Sequence, residues 1–170
     1  MAGLVKICVL FIVLAVGVYT SCPRGWTFVG EYCLMFAKDH VTWIDAARKC
    51  KQNNHSLLVT IDSYEKMSLI KTISNALASP SIGMANFWVG GNDFGVEGEW
   101  RWEETNLKIG PFTNWAPGSP NGNSSENCML VGFDHNNTDL YWKDARCTTH
   151  HNYICQFRLY SEGSTIIGRK

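Results

Sequence analysis

The sequence carries no surplus of charge: fifteen basic residues face fifteen acidic ones over 170 residues, and neither sign gathers into a run. Without a basic patch there is no electrostatic footprint for a polyanion, which sets aside nucleic acid as a partner. Long apolar runs are equally scarce. The one stretch of note, thirteen residues from Ile7 to Tyr19, is short of the roughly 20 residues that cross a bilayer, so no membrane span is expected. His-Glu-x-x-His, Gly-x-Ser-x-Gly and Gly-rich phosphate loops are missing, and nothing points to an enzyme. With no internal repeat or low-complexity linker either, the chain after its first 21 residues reads as one domain.

What the sequence has is cysteine, tryptophan and glycine: seven, seven and fifteen residues. Lys6, the apolar run and the small residues Thr20 and Ser21 make residues 1–21 a candidate secretory signal peptide. Its removal takes Cys8 and Lys6 with it. Six cysteines then remain (Cys22, Cys33, Cys50, Cys128, Cys147 and Cys155), with fourteen basic residues against fifteen acidic, a formal charge of −1. An even set in a secreted, extracellular chain implies three disulfides, although fifteen pairings are open to six cysteines.

Phe28, Tyr32 and Phe36 alternate with polar residues, which predicts two short strands around a turn at Gly30. Thr42 with Asp45 is a capping-box-like start for a helix with Trp43, Ile44, Ala47 and Cys50 on its apolar face, ending near Asn53. Leu57 to Ile61 reads as a strand. Asp62 with Glu65 opens a second helix through Met67, Leu69, Ile70, Ile73 and Leu77, which Pro80 closes. Short strand-like pieces follow at Phe87 to Val89, Glu99 to Trp102, Cys128 to Phe133, Leu140 to Lys143 and Tyr153 to Phe157. Two early helices and several late strands make an α+β domain. The long stretch from Glu104 to Cys128 is punctuated by Gly110-Pro111, Ala116-Pro117-Gly118 and Ser119-Pro120-Asn121-Gly122, and a loop of that length is usually functional. Trp88, Trp100, Trp102, Trp115 and Trp142 read as core anchors rather than ligand contacts. The adjacent His150 and His151 point apart in an extended chain and do not suggest a shared metal.

Several motifs recur in order: Cys22-Pro-x-Gly-Trp26 leading to Tyr32-Cys33, the helix bearing Cys50, Trp88-Val-Gly-Gly91, Asn114-Trp115-Ala-Pro-Gly118, Glu126-Asn-Cys128, Trp142-Lys-Asp-Ala-Arg-Cys147 and Tyr153-Ile-Cys155. In this order and spacing the chain resembles the C-type lectin-like domain family, in its secreted single-domain invertebrate form of perlucin-like or defence lectins. The resemblance covers residues 22–158 and leaves 159–170 as a flexible tail. It implies two helices, short antiparallel strands, a long irregular loop, a cis bond before Pro120, and the pairs Cys22–Cys33, Cys50–Cys155 and Cys128–Cys147.

The resemblance also implies a ligand site. Sugar-binding members hold a Ca²⁺ on the long loop, and two sugar hydroxyls complete its shell of hard oxygen donors. Carried over position by position, Asn121 matches the last residue of the family's Glu-Pro-Asn triplet, Glu126 the Glu before a Cys, and Asp144 the Asp after a Trp. Ser119 and Lys143 stand where the family has Glu or Gln and Asn, so two of five ligands are altered. Lys has three N–H donors and no acceptor, and cannot ligate a cation. Lys143 therefore either points away or sets its ammonium between Glu126 and Asp144, donating to the sugar in part in place of the metal. A second calcium position resembling the family's auxiliary site is offered by Asp93, Glu97 and Glu126.

Three Asn-x-Ser/Thr sequons, at Asn54, Asn123 and Asn136, are glycosylation candidates. Asn123 lies inside the candidate ligand loop. The expectation is a secreted carbohydrate-binding protein with a tilt toward mannose-type sugars, recognising glycans such as those of microbial surfaces in innate defence, as a monomer or homo-oligomer. The rival is a non-sugar use of the same fold toward mineral or protein.

Overall fold

Two antiparallel strands, β1 (Thr27–Val29) and β2 (Tyr32–Val41), begin the chain's sheet, with Val29 opposite Tyr32 across a two-residue turn in which Gly30 takes a φ of 62°. A positive φ at that corner is accessible to Gly at little cost. In the computed structural model residues 21–77, 86–134, 136 and 138–159 are described. The candidate leader at 1–20, Pro80 and residues 160–170 lie outside them. Leu159, expected in the flexible tail, donates its amide to the Glu31 carbonyl at 2.8 Å, extending the ladder by one residue.

Helix α1 (Trp43–Gln52) starts where Thr42 and Asp45 predict it: the Asp45 amide donates to the Thr42 hydroxyl at 3.2 Å, and that hydroxyl donates to Asp45 Oδ2 at 2.8 Å. Its buried face is Trp43, Ala46 and Cys50. Ile44, expected on that face, is 62% exposed. The 3.6-residue period explains the correction, because position 44 lies about 100° round from Trp43 whereas 46, 47 and 50 share its side. The Trp43 indole fixes the helix on the sheet by donating to the Val89 carbonyl at 2.8 Å.

After the two-residue strand β3 (Leu57–Leu58), helix α2 spans Tyr64–Leu77. Its cap is Ser63, whose hydroxyl accepts the Lys66 amide at 3.2 Å, and not Asp62, which instead pairs with Lys66 at 3.2 Å. Lys66, Met67, Ile70 and Ser74 are the buried residues, and Leu69 faces outward.

Strands β4 (Phe87–Asn92), β5 (Arg101–Trp102), β6 (Cys128–Phe133), β7 (Leu140–Ala145) and β8 (His151–Arg158) complete a sheet of order β1-β2-β8-β4-β6-β7, with β3 on β8 and β5 on β4. Pairing is antiparallel except between β4 and β8, which run parallel with Trp88 beside Tyr153. The predicted disulfides are all present: Cys22–Cys33, Cys50–Cys155 and Cys128–Cys147.

Trp88 and Trp142 are fully buried, and Trp100 and Trp102 nearly so. The rings of Trp102, Phe112 and Trp115 meet Trp142 edge to face at 5.6, 5.5 and 5.7 Å. An aromatic of this size buries about 150–250 Å². That cluster reaches from the sheet into the long loop, and Phe112 and Trp115 bring the loop with it.

Candidate functional site

The loop between Glu104 and Cys128 is ordered by the edge of β7. Trp142 donates its amide to the Asn114 carbonyl at 2.8 Å and accepts the Ala116 amide at 2.9 Å, while the Asn114 side chain donates to the Leu140 carbonyl at 2.8 Å. The loop thus lays a short parallel bridge, Trp115 against Trp142, along an otherwise open edge. The Ser119 amide then closes a turn on the Ala116 carbonyl at 2.9 Å, and the Ser119–Pro120 bond is cis, as the resemblance implies; Gly110–Pro111 is cis as well.

That path delivers Asn121 to Asp144. The Asn121 backbone amide donates to Asp144 Oδ2 at 2.7 Å, and its side-chain Nδ2 donates to Glu126 Oε2 at 2.7 Å. The far side of the loop returns through Glu126, whose amide donates to the Asn123 carbonyl at 2.7 Å, into β6, where Cys128 sits opposite Ala145 and is tied to Cys147. Asn121, Glu126 and Asp144, distant in sequence, are therefore joined by hydrogen bonds at one corner. Asp144 Oδ1 is buried and has no hydrogen-bond partner among the described residues. Asp93 Oδ1 and Glu103 Oε2 share that state, and each such oxygen is open to a cation or to a donor from water or a ligand.

Lys143 is not part of this corner. Its ammonium donates to the Phe133 carbonyl at 2.9 Å and lies over Gly132. Side chains alternate along a strand, so Trp142 and Asp144 share one face of β7 and Lys143 takes the other. Placement between Glu126 and Asp144, one of the two arrangements open from the sequence, is excluded by that alternation. No cation at the corner would meet the Lys143 charge at contact distance.

At the second acidic position the three acids are not gathered into one cluster, and Asp93 keeps an unpartnered Oδ1. Asp93 is 4% exposed and its Oδ2 accepts the Gly98 amide at 2.9 Å, closing the loop after β4, while its own amide donates to the Asn127 carbonyl at 3.3 Å. Glu97 is exposed and bonds none of the described residues. Among the described residues no group of three His, Cys, Asp or Glu is disposed to hold a metal ion, so Asp93, Glu97 and Glu126 do not make a set. The residues that do come together are an amide and two carboxylates, Asn121, Glu126 and Asp144, with the Asn121 side chain turning its nitrogen to Glu126 and its oxygen to the Asn123 amide, and with Ser119 two residues away in the chain. This donor chemistry fits Ca²⁺, whose six to eight oxygens would be completed by water and ligand.

Asn123 was missed as an organiser of the loop. Its amide donates to Asn121 Oδ1 at 2.8 Å, and its own Oδ1 accepts the Ser125 amide and hydroxyl at 3.2 and 2.9 Å. The run Asn-Gly-Asn-Ser-Ser is a signal for such turns, in which an Asn side chain caps the backbone two residues on.

Among the described residues no helix is long and apolar enough to cross a membrane. The chain is 29% identical over 157 residues to a perlucin-like protein of Mytilus galloprovincialis, covering 90% of this chain and 96% of that one. It superimposes on a calcium-independent type II antifreeze protein with a TM-score of 0.67 at 28% identity, over 82% of this chain and 96% of the other. The C-type lectin domain of murine dendritic cell inhibitory receptor 2, solved in complex with N-glycan, gives 0.69 at 26% identity, over 81% and 99%. Residues 39–157 match the Lectin C-type domain family, and with that match, the shared fold and the three disulfides the chain belongs to the C-type lectin-like domains, which are binding modules and not enzymes.

Proposed function

We propose that this protein is a secreted lectin whose binding site is the corner formed by Ser119, Asn121, Glu126 and Asp144. The observation that supports it best is the position of Asn121, hydrogen-bonded at once to Glu126 and Asp144 at 2.7 Å each. Two carboxylates and an amide fixed in this way offer both donors and acceptors to vicinal hydroxyls, which is the pairing a sugar presents. Ca²⁺, held by Asn121, Glu126 and Asp144, would supply the positive centre that draws hydroxyl oxygens. Asn at position 121 favours mannose-type sugars, and microbial glycans are the ligands that suit a secreted lectin of one small domain. A homo-oligomer would multiply a weak single site.

The test is retention of the purified protein on mannose, galactose and acidic-polysaccharide resins, with and without chelator. Elution by mannose that chelator abolishes supports the calcium-assisted reading, and Glu126→Gln should then release the protein from the resin. Chelator-resistant retention supports sugar binding through Asn121, Glu126 and Asp144 alone. No retention on any resin removes the sugar reading.

A second reading draws on the Asn121 amide. Its N–H already occupies Glu126, so part of the corner's charge is met without a cation, and the likeness to a calcium-independent type II antifreeze protein shows that the fold serves without one. On that reading the loop meets mineral or protein, and binding to a calcium mineral or to a protein surface survives Glu126→Gln.

A further inference from the structure

The three sequons differ in what the fold does with them. Asn54 is half-buried, in the left-handed region at a φ of 54°, with its Nδ2 donating to Asn53 Oδ1 at 3.1 Å; the Ser56 hydroxyl of the same sequon is buried on the Cys50 carbonyl at 2.6 Å. In the Asn136 sequon, Asp134 takes the Thr138 amide and hydroxyl at 2.7 and 2.8 Å. Asn123 is the reverse of both. It is exposed, as Asn136 also is, but its amide oxygen accepts the hydroxyl of its own sequon serine, Ser125, at 2.9 Å, and its Nδ2 bonds none of the described residues. The nitrogen that would carry a glycan thus faces solvent.

We propose that Asn123 is N-glycosylated and that its glycan caps the sugar site on the same loop, making ligand binding dependent on glycoform; the capping rests on the sugar-binding reading above. The modification takes a lipid pyrophosphate-linked oligosaccharide as donor. The Asn123 Nδ2–C1 bond forms as the C1–O bond to pyrophosphate breaks, the lipid pyrophosphate leaves, and the amide gives up one proton, with no oxidation or reduction. Capping follows from connectivity. The Asn123 amide is hydrogen-bonded to Asn121 Oδ1 at 2.8 Å, and Asn121 is the residue that joins Glu126 to Asp144. Two residues of chain reach at most about 7 Å, so a branched glycan at 123 overhangs the corner. It also presents sugar there at an effective concentration on the order of 1 mM, which weakens by on the order of tenfold any site whose dissociation constant is about a tenth of that concentration.

The experiment compares the full chain secreted from a glycosylating host with Asn123→Gln, Ser125→Ala and, as a control at another sequon, Asn136→Gln. Peptide mass mapping reads occupancy, and titration with soluble mannose and retention on mannose resin read binding. The expected result is a glycan at Asn123, about tenfold tighter mannose binding in both Asn123→Gln and Ser125→Ala, and no change in Asn136→Gln. An unmodified Asn123 overturns the inference and leaves the sugar reading intact. So does equal affinity in the glycosylated and sequon-free proteins. Absence of binding by every form to any sugar resin overturns the capping through the failure of the sugar reading itself, and the mass map then tells the two failures apart.

Discussion

Asp144 holds the long loop by charge, and substitution there measures how much. Its Oδ2 accepts the Asn121 backbone amide at 2.7 Å, the contact that closes the loop on β7. A hydrogen bond to an ionised acceptor contributes about 1.5–3 kcal/mol, against about 0.5–1.5 for a neutral pair. Asp144→Asn keeps the shape and removes the charge, a loss of about 1 kcal/mol and roughly fivefold in the equilibrium between closed and open loop. Asp144→Ala removes the acceptor and costs the full contribution, about ten- to a hundredfold. Amide hydrogen exchange at Asn121 reads this opening directly, because a local opening exchanges independently of global unfolding. Protection at Asn121 is expected to fall by those factors while the amides of Leu130 and Gly132, opposite Lys143 and Tyr141 in the β6–β7 ladder, keep theirs. Mannose affinity measured by calorimetry on the same samples falls by at least as much, since only the closed loop presents the site. Unchanged protection at Asn121 in Asp144→Ala would show that the loop is held by something else, and the reasoning about the corner would fail with it.

Three further outcomes follow from the same geometry. Lys143→Met leaves sugar affinity within about twofold and costs about 1 kcal/mol of stability by leaving the Phe133 carbonyl without its donor; a large loss of binding in an intact fold would return Lys143 to the site. Burial raises the Glu103 carboxyl above its ordinary value of 4.5, with the Lys51 charge acting weakly against it. The folded state therefore favours the neutral acid, a contribution present below that value and lost as pH rises through the folded one. Glu103→Gln should thus stabilise the protein at pH 7 and leave it unchanged at pH 3 in denaturant titrations, and an equal gain at both would refute the assignment. The Tyr153 hydroxyl, 3.4 Å from Asp39 Oδ2, is pushed up to about 12 by burial and then by that carboxylate. Tyrosinate absorbance should show one residue titrating near 12, and Asp39→Asn should lower that midpoint without restoring the ordinary 10, because the burial remains; no movement on Asp39→Asn would assign the shift to burial alone.

How much of this was legible beforehand depended on whether the information was local. The Thr42 cap, the β1–β2 turn at Gly30 and the strand runs around Trp88, Leu130 and Trp142 are written in a few adjacent residues and stand where the sequence puts them. The disulfides came from spacing matched to a family and could not have been chosen among fifteen pairings otherwise. The misreadings have a common cause in side-chain direction. Ile44 was placed by its hydrophobicity and not by its angle round the helix, and Lys143 was weighed as a neighbour of Asp144 although adjacent residues of a strand face apart. Asp93 and Glu97 have the right chemistry four residues apart, yet the loop closes on the Gly98 amide and spends Asp93 Oδ2 there.

The same alternation that removes Lys143 explains why the site is where it is. Trp142 and Asp144 lie on one face of β7, so the strand that plants a fully buried indole in the core also carries the carboxylate that receives Asn121. Between them the loop is pinned twice to the Trp142 backbone and once to Asp144. Ordering a loop costs about 1–2 kcal/mol per residue in backbone entropy, and two exposed hydrogen bonds at Asn121 cannot supply that for the stretch from Ala116 to Glu126. The aromatic contacts of Trp115 with Trp100 and Trp142, at 4.8 and 5.7 Å, can offset part of it before any ligand arrives. The core and the binding corner are therefore one mechanical unit. A truncation at Trp115 should raise amide exchange at Asn121 and, on the sugar-binding reading, weaken ligand binding, although no hydrogen bond joins Trp115 to Asn121, Glu126 or Asp144; unchanged exchange at Asn121 would show that the loop does not depend on this indole.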